Sequence, residues 1–500
     1  MNDKKILCLG NNTEDTDIRA KLVAREQKLE YHGLITEVKK INPGCYQTSF
    51  YDMSYGDLIE LSKHIDDVII LDQSKDSYLD EHAFYQTISL GKHLKSICNV
   101  IFLDDSFNYT VEDVLKTNKS LCILPFIQSV TINGNYTVCC RSHTPISKVD
   151  TSIKHSEDSS RNVIKQKMFA GEKLDQYCKI CYELEDKEII SPRITQTIEW
   201  ANRLNIKNVN ELTKITDPVY YEIRASNQCN LMCRMCSPGN SSLIDKENQK
   251  LKIFNKSRYQ YTGFGHVNID NIEKLYVSGG EPTIMPELYK FLEDCIEKKE
   301  TSFEIQLNTN AVSLTKQFKS LLKHFNNFNF EISVDGYDLV NQYVRWPTDW
   351  EKLVNNIDYI FNQGHKISFH SVVLIYNISS LYSTIEFLNN RYKKIPIHLS
   401  TVLSTVGFRD NILSPYLFPN RELVVANLEK IKKLDVYHND LILKSKIDEY
   451  LNYFNTNHDI DLSTLAAFFE YNDKLDSSRD VKLIDYIPEL EQYRTLINRK

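Results

Sequence analysis

No stretch of this 500-residue chain is apolar enough to approach a membrane span. Its first apolar run, Ile6 to Leu9, is too short for the core of a signal peptide. A cytoplasmic location with no membrane partner is expected. Excess positive charge is also lacking: 60 Lys and Arg against 67 Asp and Glu leave a formal charge of −7. That balance argues against broad nucleic-acid binding. No complete GxGxxG or Walker pattern occurs, and Gly10-Asn11-Asn12 after the first apolar run reads as a plain strand-to-helix turn. There is no long low-complexity tract. With 42% apolar and 25% charged residues, wholesale disorder is excluded.

What the chain does have is cysteine, twelve in all. In a reducing compartment these are not expected to form structural disulfides, so clustered ones read as metal ligands. Cys8, Cys45, Cys98 and Cys295 sit in apolar or helical contexts, where cysteine behaves as a small buried hydrophobe. Cys140 adjoins a clustered cysteine. The other seven form two groups.

The length predicts two to three domains. Residues 1–115 carry short apolar runs at Ile6–Leu9, Val68–Leu71 and Val100–Leu103, suited to buried parallel strands. Helical patterns lie near Asp17–Leu29, Tyr55–Ile65 and Glu81–Ile97, so a small α/β domain is expected. Residues 119–215 bear one cysteine group, with an exposed loop over 146–162 and helical patterns over Asn162–Leu184 and Ile194–Leu204. Residues 217–418 alternate strand and helix. Strands are predicted at Val219–Arg224, Lys274–Val277, Glu304–Leu307, Phe330–Val334, Ile367–Leu374 and Ile397–Val402. Six such repeats imply an α/β fold on a parallel sheet, open or curved into a partial barrel, with its active site at the carboxyl ends of the strands. Residues 419–500 are helical, with amphipathic stripes at Glu422–Leu434, Leu441–Phe454 and Leu462–Phe469.

The first predicted barrel strand runs into Cys229, Cys233 and Cys236, spaced C-x3-C-x2-C. Three thiolates this close suit three corners of one iron–sulfur cubane. The loop holds no fourth cysteine, so one iron would stay open to an amino and carboxylate chelate. A zinc knuckle is the alternative for such a loop on its own.

This arrangement resembles the signature of the radical S-adenosylmethionine (SAM) superfamily. The resemblance implies a partial (β/α)6 TIM-like barrel. It also implies a [4Fe–4S] cluster that reduces SAM and yields a 5′-deoxyadenosyl radical, which abstracts hydrogen from substrate. Met235 holds the place of the large residue that packs near adenine. Downstream, Gly279-Gly280-Glu281-Pro282 looks like the family's GGEP motif, with Glu281 suited to an ammonium group. Asn308-Thr309-Asn310-Ala311 resembles the TNG strand end, with Ala311 in place of glycine. Ser333 and Asp335 end the fourth strand, and Arg345 follows Ser333 by twelve residues. A similar Ser…Arg pair contacts SAM ribose and carboxylate in related enzymes. Val373 is a weaker candidate for adenine packing; a core valine is the plainer reading. The resemblance spans roughly residues 217–405.

The second group is Cys122, Cys139, Cys178 and Cys181. Asn133-Gly134 signals a hairpin that would bring Cys122 and Cys139 together, and Cys178-Lys-Ile-Cys181 is a CxxC at the end of a helical pattern. Four thiolates can fully ligate one cluster, and equally suit tetrahedral zinc. The spacing is similar to the SPASM and twitch auxiliary modules. So are Cys122-Ile-Leu-Pro-Phe126, Cys139-Cys140 and Cys178–Glu185. Here the module precedes the barrel, and the later SPASM cysteines are missing. The resemblance implies one second, auxiliary [4Fe–4S] cluster, with Cys140 as an alternative to Cys139.

The expected function is therefore a radical SAM oxidoreductase or maturase that modifies a peptide or protein oxidatively, served by a reducing partner such as flavodoxin or ferredoxin. A dehydrogenase or epimerase acting on a sugar or nucleotide-linked small molecule is the runner-up. A non-catalytic zinc or iron–sulfur module is the third reading. Tyr343, His370 and His398 lie near strands, where packed or surface roles are the plainer expectation, and no catalytic residue is identified.

Overall fold

The structure, a computed structural model, describes seven strands within residues 4–103. It also describes residues 111, 114, 115 and 118–497 apart from 143, 151–156, 188–189, 255–259, 403–410 and 457–458. The chain divides into two compact units, Met1–Val130 with Asn135–Pro218, and Thr131–Gly134 with Val219–Lys500.

In the first unit the early strands are β1 (Lys4–Leu9), β2 (Leu29–Ile35), β3 (Val38–Asn42), β4 (Cys45–Thr48), β5 (Asp52–Ser54), β6 (Asp67–Leu71) and β7 (Asn99–Leu103). A parallel sheet takes the order β2-β1-β6-β7, and β3, β4 and β5 form an antiparallel meander. The three apolar runs of the sequence fall in β1, β6 and β7. The meander was not anticipated, because Val38-Lys-Lys-Ile-Asn has no clean alternation. The helical patterns within 17–28, 55–65 and 81–97, and the Gly10-Asn11-Asn12 turn, lie outside the described residues.

The cysteine-bearing part adds β8 (Gln128–Ile132), β9 (Asn135–Thr137) and β10 (Pro145–Lys148). Asn133 and Gly134 join β8 to β9 with φ of 52° and 72°, the two positive values that a tight type I′ hairpin demands. Helices follow as α1 (Ser159–Phe169), α2 (Asp175–Glu185) and α3 (Pro192–Arg203). The helical pattern expected over Asn162–Leu184 is thus two helices, separated at Gly171 with φ 72°. The Asp158 carboxylate caps α1, and the Ser191 hydroxyl caps α3 ahead of Pro192.

The second unit holds six strands, β11 (Tyr220–Ile223), β12 (Lys274–Val277), β13 (Glu304–Thr309), β14 (Phe328–Ser333), β15 (Lys366–Val373) and β16 (Ile397–Thr401). All are parallel and neighbour one another in sequence order. Helices α4 (Ser242–Leu251), α5 (Pro286–Lys298), α6 (Lys316–Leu322), α7 (Leu339–Val344), α8 (Trp350–Asn362) and α9 (Leu381–Arg391) fill the connections. Strands in unbroken sequence order, each crossing over through helix, wind one way only, which is the architecture of a partial TIM-like barrel. Burial alternates along β13 and β15. Leu275, Ile305, Leu307, Phe330 and Phe369 are buried in one cluster with Leu288, Leu292 and Ile357 of the helices. Tyr276, Gln306, Glu331 and His370 alternate with them and are half-buried. One face of the sheet is therefore sealed by helices, and the other is polar.

The C-terminal region contributes α10 (Arg421–Ile431), α11 (Leu441–Asn455) and α12 (Leu462–Arg479). The last was expected to stop at Phe469. It runs ten residues further and ends at Asp480, in the left-handed conformation with φ 52°. Its extension was hidden because polar residues, Asn472, Asp476 and Arg479, occupy its buried face. Among the described residues no helix is long and apolar enough to cross a membrane.

Candidate metal and cofactor site

The three-cysteine loop leaves the carboxyl end of β11. Two backbone bonds strap it to the end of α7 and the residues just beyond: Arg234 N donates to the Val344 carbonyl at 2.8 Å, and Met232 N to the Trp346 carbonyl at 2.5 Å. The Ser241 hydroxyl donates to the Leu231 carbonyl (2.8 Å), and Cys229 N to the Ser242 hydroxyl (3.3 Å). Leu231 anchors the loop in the core. Burial raises the pKa of all three thiols. Cys233 and Cys236 push Cys229 up further, and Cys233 helps bring Cys236 to about 12. Bare thiolates packed this way repel one another in a poorly solvated place, and cationic iron would relieve both penalties. The soft, half-buried donor set fits an iron–sulfur cluster. Among the described residues no three His, Cys, Asp or Glu side chains are grouped to hold a metal ion. Thiolates on separate corners of one cubane stand further apart than the ligands of a single ion.

The other expected residues gather at the same end of the sheet. Gly279 and Gly280 have φ of 80° and 55°. A Cβ on Gly280 would lie 2.2 Å from the Gln228 carbonyl oxygen, so only glycine lets this turn approach the cysteine loop; Glu281 N closes the contact with a 2.7 Å bond to that oxygen. The Glu281 carboxylate, expected to meet an ammonium group, is buried and engaged by the chain itself. It accepts from Thr283 N (3.1 Å), the Thr283 hydroxyl (2.6 Å), the Thr309 hydroxyl (2.5 Å) and Asn310 N (2.7 Å). Burial raises its pKa against those four donors. Pro282 is buried in the short turn that follows. Asn310 reaches back, its amide donating to Asn230 Oδ1 at 2.8 Å and lying 4.0 Å from Cys229 Sγ. Ala311, where the family motif has glycine, holds a φ of 53° and is buried.

Met235 is half-buried against the core. Asn308 donates to the Tyr276 hydroxyl (3.4 Å) and accepts from Ser333 (3.3 Å). Arg345 Nε stands 2.7 Å from Asp335 Oδ2, and its Nη1 is 3.9 Å from Cys233 Sγ. Asp335 Oδ1 is held by Val372 N at 2.6 Å. Strand ends far apart in sequence thus converge on the three-cysteine loop. Val373 is fully buried in the core. Tyr343 is buried as well, its hydroxyl bonded to Asn472 and Asp476, and so serves packing.

In the first unit the Cys122 thiol is buried, and burial followed by the Cys139, Cys178 and Cys181 thiols raises its pKa. Cys178 is pushed up to about 12 by burial, then by Cys139 and Cys181. The four expected ligands are therefore within electrostatic reach of one another; Cys140 figures in neither shift. The Tyr-Glu-Leu-Glu run after the CxxC has a structural reason. The Tyr182 hydroxyl bonds Leu174 N (3.2 Å) and Ser120 (3.1 Å). Glu185 clamps the buried Arg193 through two bonds of 2.8 and 2.6 Å, and Arg193 donates to the Leu121 carbonyl beside Cys122 at 2.7 Å. The segment that carries Cys122, ahead of β8 and outside the hairpin strands, is thereby tied to the CxxC helix.

Residues 223–388, from the end of β11 into α9, match the family described as Radical SAM superfamily. This segment is a radical SAM domain. Its cofactors are a [4Fe–4S] cluster and SAM. A curated relative, the GTP 3′,8-cyclase of Campylobacter lari, is 29% identical over 184 residues, covering 35% of this chain and 53% of that protein. The chain thus spans about half the length of the curated relative it matches. Solved structures similar to parts of the chain include native anSMEcpe with bound AdoMet, at 17% identity and TM-score 0.34, over 45% of this chain and 62% of that one. Streptococcus suis SuiB bound to S-adenosylmethionine is another, at 17% identity and TM-score 0.30, over 54% and 60%. Scores this low leave the assignment resting on the family match and on the residues themselves.

The polar face of the radical SAM domain's sheet carries a group that sequence reasoning did not assemble. His370 and His398 face each other in register on β15 and β16. His370 Nε2 is 2.9 Å from the Ser400 hydroxyl, and Nδ1 is 3.4 Å from Glu331 Oε1. Gln306 donates to Glu331 Oε2 (3.2 Å). Burial lowers the His370 pKa, and the Glu331 carboxylate opposes that shift. The signal was absent from the sequence because the group is drawn from four strands, β13 to β16.

Proposed function

We propose that this protein is a radical SAM oxidoreductase or maturase. Cys229, Cys233 and Cys236 hold the SAM-binding cluster, and Cys122, Cys139, Cys178 and Cys181 hold an auxiliary [4Fe–4S] cluster. The bound cofactors supply one-electron cleavage of SAM to a 5′-deoxyadenosyl radical able to take hydrogen from an unactivated C–H bond. The chain's part is to bind, orient and shield. Met235 packs by the nucleoside. Gly279, Gly280, Glu281 and Pro282 shape the turn against the cysteine loop, with the backbone free to approach SAM. Asn308, Asn310, Ser333, Asp335 and Arg345 supply the remaining polar contacts.

The observation that carries the reading is the convergence of three soft thiols with four strand ends that match one family. The four thiols of the first unit support an oxidative outcome, since a second cluster can accept an electron from a substrate radical. Similarity of that module to SPASM and twitch modules supports a peptide or protein substrate, and flavodoxin or ferredoxin suits the need for a reductant. A nucleotide-linked small molecule is the second reading, favoured by the similarity to a GTP 3′,8-cyclase.

Anaerobic reconstitution followed by dithionite tests the reading. The parent protein should release 5′-deoxyadenosine from SAM, and Cys236→Ala should not. Zinc in place of iron, with no SAM cleavage, would sink it.

A further inference from the structure

The C-terminal helix α12 lies outside the matched family segment, yet it supplies the partners of a charge buried inside the cysteine loop. Arg234 stands between Cys233 and Met235 and is 0% exposed. Its Nε donates to the Tyr343 carbonyl (3.0 Å), Nη1 to Asn472 Oδ1 (3.0 Å) and Nη2 to Asp476 Oδ1 (2.5 Å). The guanidinium lies over the Tyr343 ring, 3.5 Å from its centroid. Its own carbonyl accepts from the Tyr471 hydroxyl at 2.5 Å. Besides Tyr343, the backbone bond to the Val344 carbonyl and the Tyr376 ring at 5.8 Å, these contacts come from α12.

Asp476 is held in place in turn. Its Oδ2 accepts from Leu483 N (2.9 Å) and from the Asn472 amide (3.2 Å), and the Tyr343 hydroxyl donates to Oδ1 at 2.8 Å. One turn on, Arg479 forks onto Glu247 of α4, the helix that follows the cysteine loop, at 2.8 and 2.7 Å. The helix therefore grips the loop itself and the element after it. A buried cation needs a compensating anion, and among the described residues Asp476 alone makes an ion pair with Arg234.

We propose that Asp476 is a positioning residue of the radical SAM site: through Arg234 it fixes the Cys229–Cys236 loop and sets the charge beside the cluster that the loop holds. The inference rests on the cluster reading above. Cluster potentials follow local charge and burial, so the two partners act in opposite directions. Losing the carboxylate leaves an uncompensated cation and favours the reduced, more negative cluster. Losing the guanidinium leaves an uncompensated anion and disfavours it.

The test is a redox titration followed by electron paramagnetic resonance on the reconstituted full-length protein, with iron content and circular dichroism as controls. Asp476→Asn should shift the midpoint of the SAM-site cluster upward and weaken the spectral change on adding SAM. Arg234→Met should shift the midpoint downward. Asp476→Glu should restore most of the parent behaviour. A midpoint and SAM response like the parent's in folded Asp476→Asn overturns the proposal. If that variant does not fold, Arg234→Met decides alone, and an unmoved midpoint overturns it. A parent protein that binds no reducible cluster refutes the proposed function instead.

Discussion

At the residue scale, steric and solvation terms decide what each position tolerates. Gly280 and Gly364 both have positive φ, but a Cβ at Gly364 meets nothing within 4 Å, whereas at Gly280 it strikes backbone. Gly364→Ala should cost about 1 kcal/mol of conformational strain alone. Gly280→Ala adds overpacking and should cost about 2–4 kcal/mol in a urea titration, while also weakening SAM binding. His266 gives a pH signature. Burial lowers its pKa to about 4, against a bond to the Gly263 backbone and beside the Tyr221 ring. The unfolded chain, with an ordinary histidine pKa, takes up the proton first as pH falls. Stability should therefore be full above pH 7 and decline below about pH 6.5, with about 2 kcal/mol lost by pH 5. His266→Phe should flatten that decline in pH-dependent urea unfolding. The same scale separates what the sequence revealed from what it concealed. The seven clustered thiols could be picked out because the C-x3-C-x2-C and CxxC spacings and the Asn133-Gly134 hairpin signal stand out in a sequence. Arg234 could not, since a lone arginine between two cysteines gives no sign of Asn472 and Asp476, well over two hundred residues away.

At the element scale, strands were easier to read than helices whose buried face is polar. The six barrel strands appear close to their expected positions: β13 and β15 alternate apolar residues against the helices, and β11 is a short run buried along its whole length. Helix α12 was cut short in the sequence reading at Phe469, where its buried stripe turns from Leu and Phe to Asn472, Asp476 and Arg479. Such a face is stable only when paired, and the pairing is tertiary. In the first unit the same holds for α2 and α3. Side-chain exposures of 1% for Arg193 and 12% for Glu185 mark their pair as buried. Removing one partner leaves the other uncompensated, which costs about 3 kcal/mol. Glu185→Ala should lower the thermal midpoint. It should also cost the protein auxiliary-cluster iron, because the Leu121 carbonyl beside Cys122 loses its anchor. Normal iron content and an unchanged melt in this variant would contradict the clamp.

At the scale of the whole molecule, the two cysteine groups fall in different compact units, so their chemistry should be separable. Each group closes its own set of contacts: Arg193 and Tyr182 serve Cys122 and the CxxC helix, and Ser241, Asn310 and Arg345 serve the three-cysteine loop. The reconstituted parent should carry about eight irons per chain, two cubanes of four. Cys178→Ala/Cys181→Ala should retain about four irons and still form 5′-deoxyadenosine with dithionite, since the loop proposed to bind SAM is untouched. The triple variant lacking Cys229, Cys233 and Cys236 should also retain about four irons but leave SAM intact. The asymmetry carries the argument: equal iron loss, with SAM cleavage lost on one side only. If the CxxC variant lost SAM cleavage together with its iron, the first unit would be part of the cleavage site, and the auxiliary role assigned to its four thiols would be wrong.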